Sequence, residues 1–242
     1  AILSGIHSTL KLSYVYQKDP SMNDVPLVMH IPCYSEGIDD LLKTINSCSE
    51  SDFDDQKKLL FVVCDGIVTG KGNAKPTSDI LIDDIFRCRA QKPIPQEYIS
   101  TELGDKLKNC ANCYCGHYEI NDHRVPYVLI IKVGTTDEAA TTKPGNRGKR
   151  DSQLIIYRFF HQVIFSEEKI SKWDPLFKDI AQKMVLLIRK DPCMYEYILV
   201  ADADTYIYPN GIRELASFLE HSPSYFGVCG ETKVRYLYLK VY

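Results

Sequence analysis

The sequence predicts an α/β fold built on an open, largely parallel sheet, and three observations carry that reading. Short continuous apolar runs alternate with amphipathic segments at helical spacing, as in α/β sheets rather than all-β sandwiches. The chain of 242 residues is long enough for one large α/β domain. Three of the apolar runs also end in polar residues, where open parallel sheets place their ligands.

Taken in order, Leu27 to Ile31 lies between Pro26 and Pro32 and reads as a buried strand. Ile38, Leu41, Leu42, Ile45 and Cys48 follow at helical spacing, and Leu59 to Cys64 is a second buried strand ended by Asp65-Gly66. Pro76 to Arg87 predicts a helix. From Arg89 to Asn112 the periodicity weakens around Pro93 and Pro95, which predicts a surface excursion. Tyr114–Ile120 and Val125–Val133 form a hairpin turned at Asn121-Asp122. Helices are expected over Asp151–Phe165, over Pro175–Arg189, and after Asn210, which caps Ile212, Leu215 and Leu219. Tyr197–Ala201 reads as a buried strand, and Tyr225–Cys229 would be the last strand. No repeat or flexible linker interrupts the pattern, so residues 25–233 are expected to be one domain, with a lead-in at 1–24 and a divergent tail at 234–242.

Composition removes several functions. With 45% hydrophobic and 25% charged residues the chain is neither disordered nor of low complexity. A net charge of −3 argues against general nucleic-acid binding, and no uncharged apolar run approaches the roughly 18 residues of a membrane span. Nine cysteines without regular spacing suggest reduced thiols. There is no signal-peptide pattern, and the missing initial Met and the apolar final residues suggest a fragment.

The chemistry is expected at the ends of the strands: Glu36 after the first, Asp65 after the second, and Asp202 and Asp204 after Tyr197–Ala201. Residues i and i+2 of an extended segment share a side, so Asp202 and Asp204 would converge and repel unless a cation sits between them. Hard oxygen ligands favour Mg2+ or Mn2+, completed by a diphosphate and water; the alternative is a pair of solvated loop carboxylates. The turn at 143–153, KPGNRGKRDSQ, sets Lys143, Arg147, Lys149 and Arg150 before a helix N-terminus, which suits an anion but does not match a P-loop. Cys110, Cys113, Cys115 and His117 have a spacing that invites zinc, yet no partner pair stands elsewhere, and the expectation is that they form no structural zinc site.

Six segments then resemble the catalytic domain of fungal-type chitin synthases, especially the division that includes the myosin-fused classes. They are IPCYSEG at 31–37, KKLLFVVCDGI at 57–67, PYVLIIKVG at 126–134, GNRGKRDSQ at 145–153, YEYILVADADT at 195–205 and GVCGETK at 227–233. The resemblance implies a GT-A-type, Rossmann-like fold that binds UDP-N-acetylglucosamine. By position it puts Glu36 and Asp65 near the uridine, Lys149 and Asp151 on the nucleotide, and Asp202 and Asp204 on Mg2+ or Mn2+. It implies inverting transfer of N-acetylglucosamine to the 4-hydroxyl of a growing chitin chain, by a membrane-embedded parent enzyme whose segment here faces the cytoplasm. The family's general base lies in a Glu-Asp-Arg motif and its acceptor clamp in a Gln-Arg-Arg-Arg-Trp motif; neither string occurs here, and no catalytic base is assigned. A donor-binding part, truncated at its C-terminus and inactive alone, is therefore expected. The alternative is a non-catalytic UDP-sugar-binding or partner-interaction fragment of the same fold.

Overall fold

The structure, a computed structural model, describes residues 25–165 and 172–231. The lead-in at 1–24 and the tail at 234–242 lie outside the described residues. Six strands, β1 (Leu27–Cys33), β2 (Lys58–Cys64), β3 (Gln96–Ile99), β4 (Lys108–Ile120), β5 (His123–Lys132) and β6 (Tyr197–Val200), form one sheet in the order β3-β4-β5-β2-β1-β6. β5, β2, β1 and β6 are mutually parallel, while β4 runs against both β3 and β5.

All seven residues of β1 and of β2 are buried, because both faces of the sheet are covered. Period-2 geometry sends Met29, Ile31, Leu60 and Val62 into one apolar cluster and Val28, Leu59, Phe61 and Val63 into the other. The first cluster is closed by Leu41, Ile45 and Cys48 of α1 (Ile38–Ser49), whose Asp39 and Asp40 complement the helix N-terminus. The second is closed by Ile155, Ile156, Phe159 and Phe160 of a helix over Lys149–Phe165 and by Phe177, Ile180 and Met184 of another over Pro175–Leu187. Pro175 starts the latter, where its missing N–H costs nothing.

The helix expected over Pro76–Arg87 is instead α2 (Thr77–Asp79) running into a π-helical turn, Ile80–Ile85, and Arg87 leaves it at a φ of +48°. Ile80, Leu81 and Ile82 are consecutive and all buried, more than one α-helical stripe holds, and the wider turn brings them towards the same side. The two helices over the second cluster are then α3 (Lys149–Phe165) and α4 (Pro175–Leu187).

The expected surface excursion at 89–112 is corrected: it contains β3 and the first residues of β4, in antiparallel register from Gln96 with Ala111 to Ile99 with Lys108. Within β3 only Tyr98 is buried, and β4 turns Asn109, Ala111 and Cys113 inwards, so a buried Asn and a lone Tyr stood in for an apolar run. The expected strand at Tyr225–Cys229 is also corrected. There Tyr225 N–H donates back to the Ser222 carbonyl (3.0 Å) and its ring packs on Phe218 of α5 (Gly211–His221), while Tyr225 to Cys229 are all exposed and form no strand. Asn210 precedes α5, but its side chain pairs with Glu214 rather than capping a backbone N–H. All nine cysteines are free.

His30, midway along β1, is fully buried; its Nδ1 faces the Phe61 carbonyl at 3.2 Å and its Nε2 has no partner among the described residues. Burial, opposed only in part by that bond, pulls its pKa from 6.5 down to about 4. The unfolded chain therefore takes up a proton, between those values, that the folded chain refuses. His30 should thus stabilise the fold fully above about pH 6.5 and lose about 3 kcal/mol as pH falls to 4. Urea midpoints at pH 7 and pH 4 check this: His30→Met should show a clearly shallower loss than the parent, and equal losses would refute it.

Candidate functional site

The parallel strands release their C-terminal ends on one side of the sheet. β1 is flanked by β2, the next strand in the chain, and by β6, the last, so the chain direction across the sheet reverses between β1 and β6. Beyond β1, the Glu36 carboxylate accepts from its own loop, from Tyr34 N (2.6 Å) and Ser35 N (3.0 Å). Its carbonyl is anchored by Asn73 Nδ2 (3.2 Å) and Thr77 Oγ1 (3.0 Å). Lys143 lies over the Tyr34 ring, 5.5 Å from its centre, so the basic turn meets the β1 end.

Asp65, at the end of β2, and Asp151, in the first turn of α3, are brought together from inside. Lys132, the last residue of β5, is fully buried and places its Nζ 2.9 Å from Asp65 Oδ1 and 2.8 Å from Asp151 Oδ2. Asp65 also accepts from Arg147 N (2.9 Å) and Asn146 Nδ2 (2.8 Å). Asp151 accepts from the Tyr98 hydroxyl and from Thr101 N, both at 2.8 Å. All four carboxylate oxygens thus meet at least one donor, as a charge taken out of water requires.

The basic turn divides in two. Arg147, expected to serve an anion, is buried, and its guanidinium donates to the carbonyls of Lys106 (2.8 Å) and Lys108 (2.9 Å) and pairs with Glu138. That pair holds the Glu138 carboxyl below the ordinary range. Arg147 therefore ties the turn to the β3–β4 connection and is not open to a phosphate. Lys143, Lys149 and Arg150 are exposed. Gly145 has a φ of +78°, and a Cβ there would stand 2.5 Å from the Lys132 carbonyl oxygen, so the turn requires glycine.

Lys149 reaches across to Asp202 at 2.5 Å, joining the α3 N-terminus to the segment after β6. That segment is not extended: Thr205 N donates to the Asp202 carbonyl (3.0 Å), making Asp202–Thr205 a turn, with Ala203 buried and Asp202 and Asp204 exposed. The i, i+2 rule of a strand does not apply there, because β6 already ends at Val200. No group of three or more His, Cys, Asp and Glu side chains gathers among the described residues. Two exposed carboxylates on a turn nevertheless fit Mg2+ or Mn2+, which bind through one or two carboxylates when phosphate oxygens and water complete the shell. Cys113 and Cys115, with sulfurs 4.0 Å apart, are core side chains of the second cluster.

Lys132 and Tyr98 were not expected in the site. A lysine closing the apolar run Val128–Ile131 was the available signal, since a lysine is rarely buried there without carboxylates to meet.

A chitin synthase family model matches residues 4–237. The chain is similar to chitin synthase 6 of Mycosarcoma maydis, 38% identical over 216 residues, which are 89% of this chain and 18% of that protein. It is similar to chitin synthase 4 of Cryptococcus neoformans var. grubii, 36% identical over 218 residues, 90% of this chain and 17% of that protein. Chitin synthase Vb of Fusarium oxysporum f. sp. lycopersici is 32% identical over 231 residues, 96% of this chain and 13% of that protein. The chain thus spans less than a fifth of the length of these relatives. The mixed sheet flanked by helices agrees with a GT-A-like glycosyltransferase domain. With the match running over nearly its whole length, the chain belongs to the chitin synthase family.

Proposed function

We propose that this chain is the donor-binding part of a chitin synthase catalytic domain. It holds UDP-N-acetylglucosamine across the C-terminal ends of β1, β2 and β6, for inverting transfer to the 4-hydroxyl of a chitin oligomer. The observation that carries this reading is the Lys149–Asp202 pair: a cation and a carboxylate, both exposed, face each other at the strand ends where the chain order reverses.

An exposed pair of this kind is worth at most about 1 kcal/mol, so it opens at little cost. Lys149 can then turn to a phosphate oxygen, assisted by the N-terminus of α3. Asp202 and Asp204 become the ligands of Mg2+ or Mn2+, and such a cation, when bound, would offset the negative charge building on the UDP leaving group. Glu36 closes the loop beside Tyr34, next to the nucleoside end. The parent enzyme is embedded in a membrane with this segment on the cytoplasmic side; among the described residues no helix is long and apolar enough to cross one.

UDP titrated into the chain by calorimetry should bind with Mg2+ and lose most of its affinity when the metal is chelated; equal affinity in both would overturn the reading. The same protein given radiolabelled UDP-N-acetylglucosamine should form no chitin, because neither the Glu-Asp-Arg nor the Gln-Arg-Arg-Arg-Trp string occurs in the sequence and base catalysis alone contributes about 10² to 10⁴-fold. Insoluble labelled polymer would refute that expectation.

A further inference from the structure

We propose that Lys132 is the positioning residue of the donor site. Through Asp65 and Asp151, it holds the turn 145–149 so that Lys149 is presented to the diphosphate. The inference rests on the donor-binding reading, and it gives the two aspartates a different task from touching the nucleotide.

Lys132 sits at the centre of the contacts that fix this turn. Its Nζ meets Asp65 Oδ1, Asp151 Oδ2 and the Gly148 carbonyl at 2.9, 2.8 and 3.4 Å. Asp65 in turn grips the two residues before Gly148: Asn146 through its side-chain amide, at both the carbonyl (3.2 Å) and Oδ2 (2.8 Å), and Arg147 through its backbone N–H (2.9 Å). Gly145 is held separately, by Asn109 Nδ2 on its carbonyl (2.9 Å) and by Glu138 on its N–H (3.1 Å). Asp151 fixes the first turn of α3 to the edge of the sheet through Tyr98 and Thr101. Each residue from 145 to 148 is therefore pinned, and the next one, Lys149, is the first whose side chain leaves the protein.

Charge leads to the same assignment. Asp65 and Asp151 carry two negative charges against one on Lys132, and the Arg147–Glu138 pair beside them is balanced. Without the ammonium, two buried carboxylates would stand behind a site meant for a diphosphate. With it, the cluster is a brace whose side chains are at most 4% exposed. Asp65, 4% exposed and with donors already on both oxygens, presents little surface to a nucleoside. Lys132 thus acts on the diphosphate end, through Lys149, and leaves the nucleoside end alone.

The test is calorimetric titration of the 242-residue chain with UDP and, separately, with uridine, both at fixed Mg2+. Circular dichroism is used to check that each variant is folded at the temperature used. Lys132→Met should weaken UDP by about tenfold or more, the loss of one charge-assisted contact, and leave uridine unchanged. In a Lys149→Ala background the same substitution should weaken UDP by less than about threefold further, because residues acting through one another are not additive. Tyr98→Phe, which takes only one hydrogen bond from Asp151, is the milder variant; it should weaken UDP about threefold with uridine again unchanged, and it carries the test if Lys132→Met does not fold. A parallel fall in uridine affinity would return Asp65 to the nucleoside and overturn the proposal, as would full additivity with Lys149→Ala. If the parent chain binds UDP and Lys132→Met and Tyr98→Phe bind it equally well, the positioning role fails while the donor-binding reading stands. If the parent chain binds no UDP at all, both fall.

Discussion

Lys132→Met is expected to lower the stability of the chain by about 3–5 kcal/mol, the cost of leaving a buried ionic group without its partner. Asp65 and Asp151 would then face each other with side chains 4% and 1% exposed, and the hydrogen bonds left to them come from neutral donors. For a protein of this size the melting temperature should fall on the order of 10 °C. The physical cause is checked by removing the charges together. Lys132→Met combined with Asp65→Asn and Asp151→Asn should recover a good part of the loss, since a neutral polar cluster costs less to bury than two unpaired carboxylates. Thermal melts and urea midpoints on the four proteins decide it. A single variant as stable as the parent would mean that the ammonium contributes nothing net, and a triple variant less stable than Lys132→Met would put the loss in packing rather than charge.

Asp204→Ala should weaken Mg2+-dependent UDP binding by roughly 10 to 150-fold, which corresponds to about 1.5–3 kcal/mol for a contact to a charged group. Asp204 is exposed on the turn after β6, so the substitution removes the proposed ligand without opening a cavity, and the fold should be unaffected. Asp202→Ala makes the useful contrast. It removes a carboxylate from the metal but also frees Lys149 from its ion pair, so its net loss should be smaller than that of Asp204→Ala. The difference should shrink in high salt, which screens exposed charges. Calorimetry with and without metal on the parent and both variants measures it; equal affinities in every titration would reduce Asp202 and Asp204 to solvated carboxylates.

How far the fold could be read from residue order follows from burial. β1 and β2 were legible because sheet strands flanked on both sides show as apolar runs, and the β4–β5 hairpin because Asn121, at a φ of +49°, takes the left-handed conformation that Asn tolerates. β6 was legible from its apolar run at 198–200, although it is an edge strand and none of its residues is fully buried. β3 was not legible. It is an edge strand with one buried side chain, and its pairing with β4 is a long-range choice that no local pattern announces. The π turn at Ile80–Ile85 was likewise decided by what lay next to it, since its three consecutive buried apolar residues belong to one cluster.

The site divides along the same line. Which residues end the strands, and that carboxylates and a basic glycine turn stand there, follows from order and residue type: Glu36, Asp65, Asp202, Asp204 and the run from Gly145 to Asp151 are all local facts. Which of these charges face solvent and which face one another depends on the packing of β5 and α3. Arg147 and Lys149 are two residues apart and chemically alike, yet one is locked among carbonyls and Glu138 while the other reaches Asp202 across the strand ends. Charge is a property of a residue, but its desolvation depends on its neighbours, and only the assembled sheet brings Lys132 between Asp65 and Asp151.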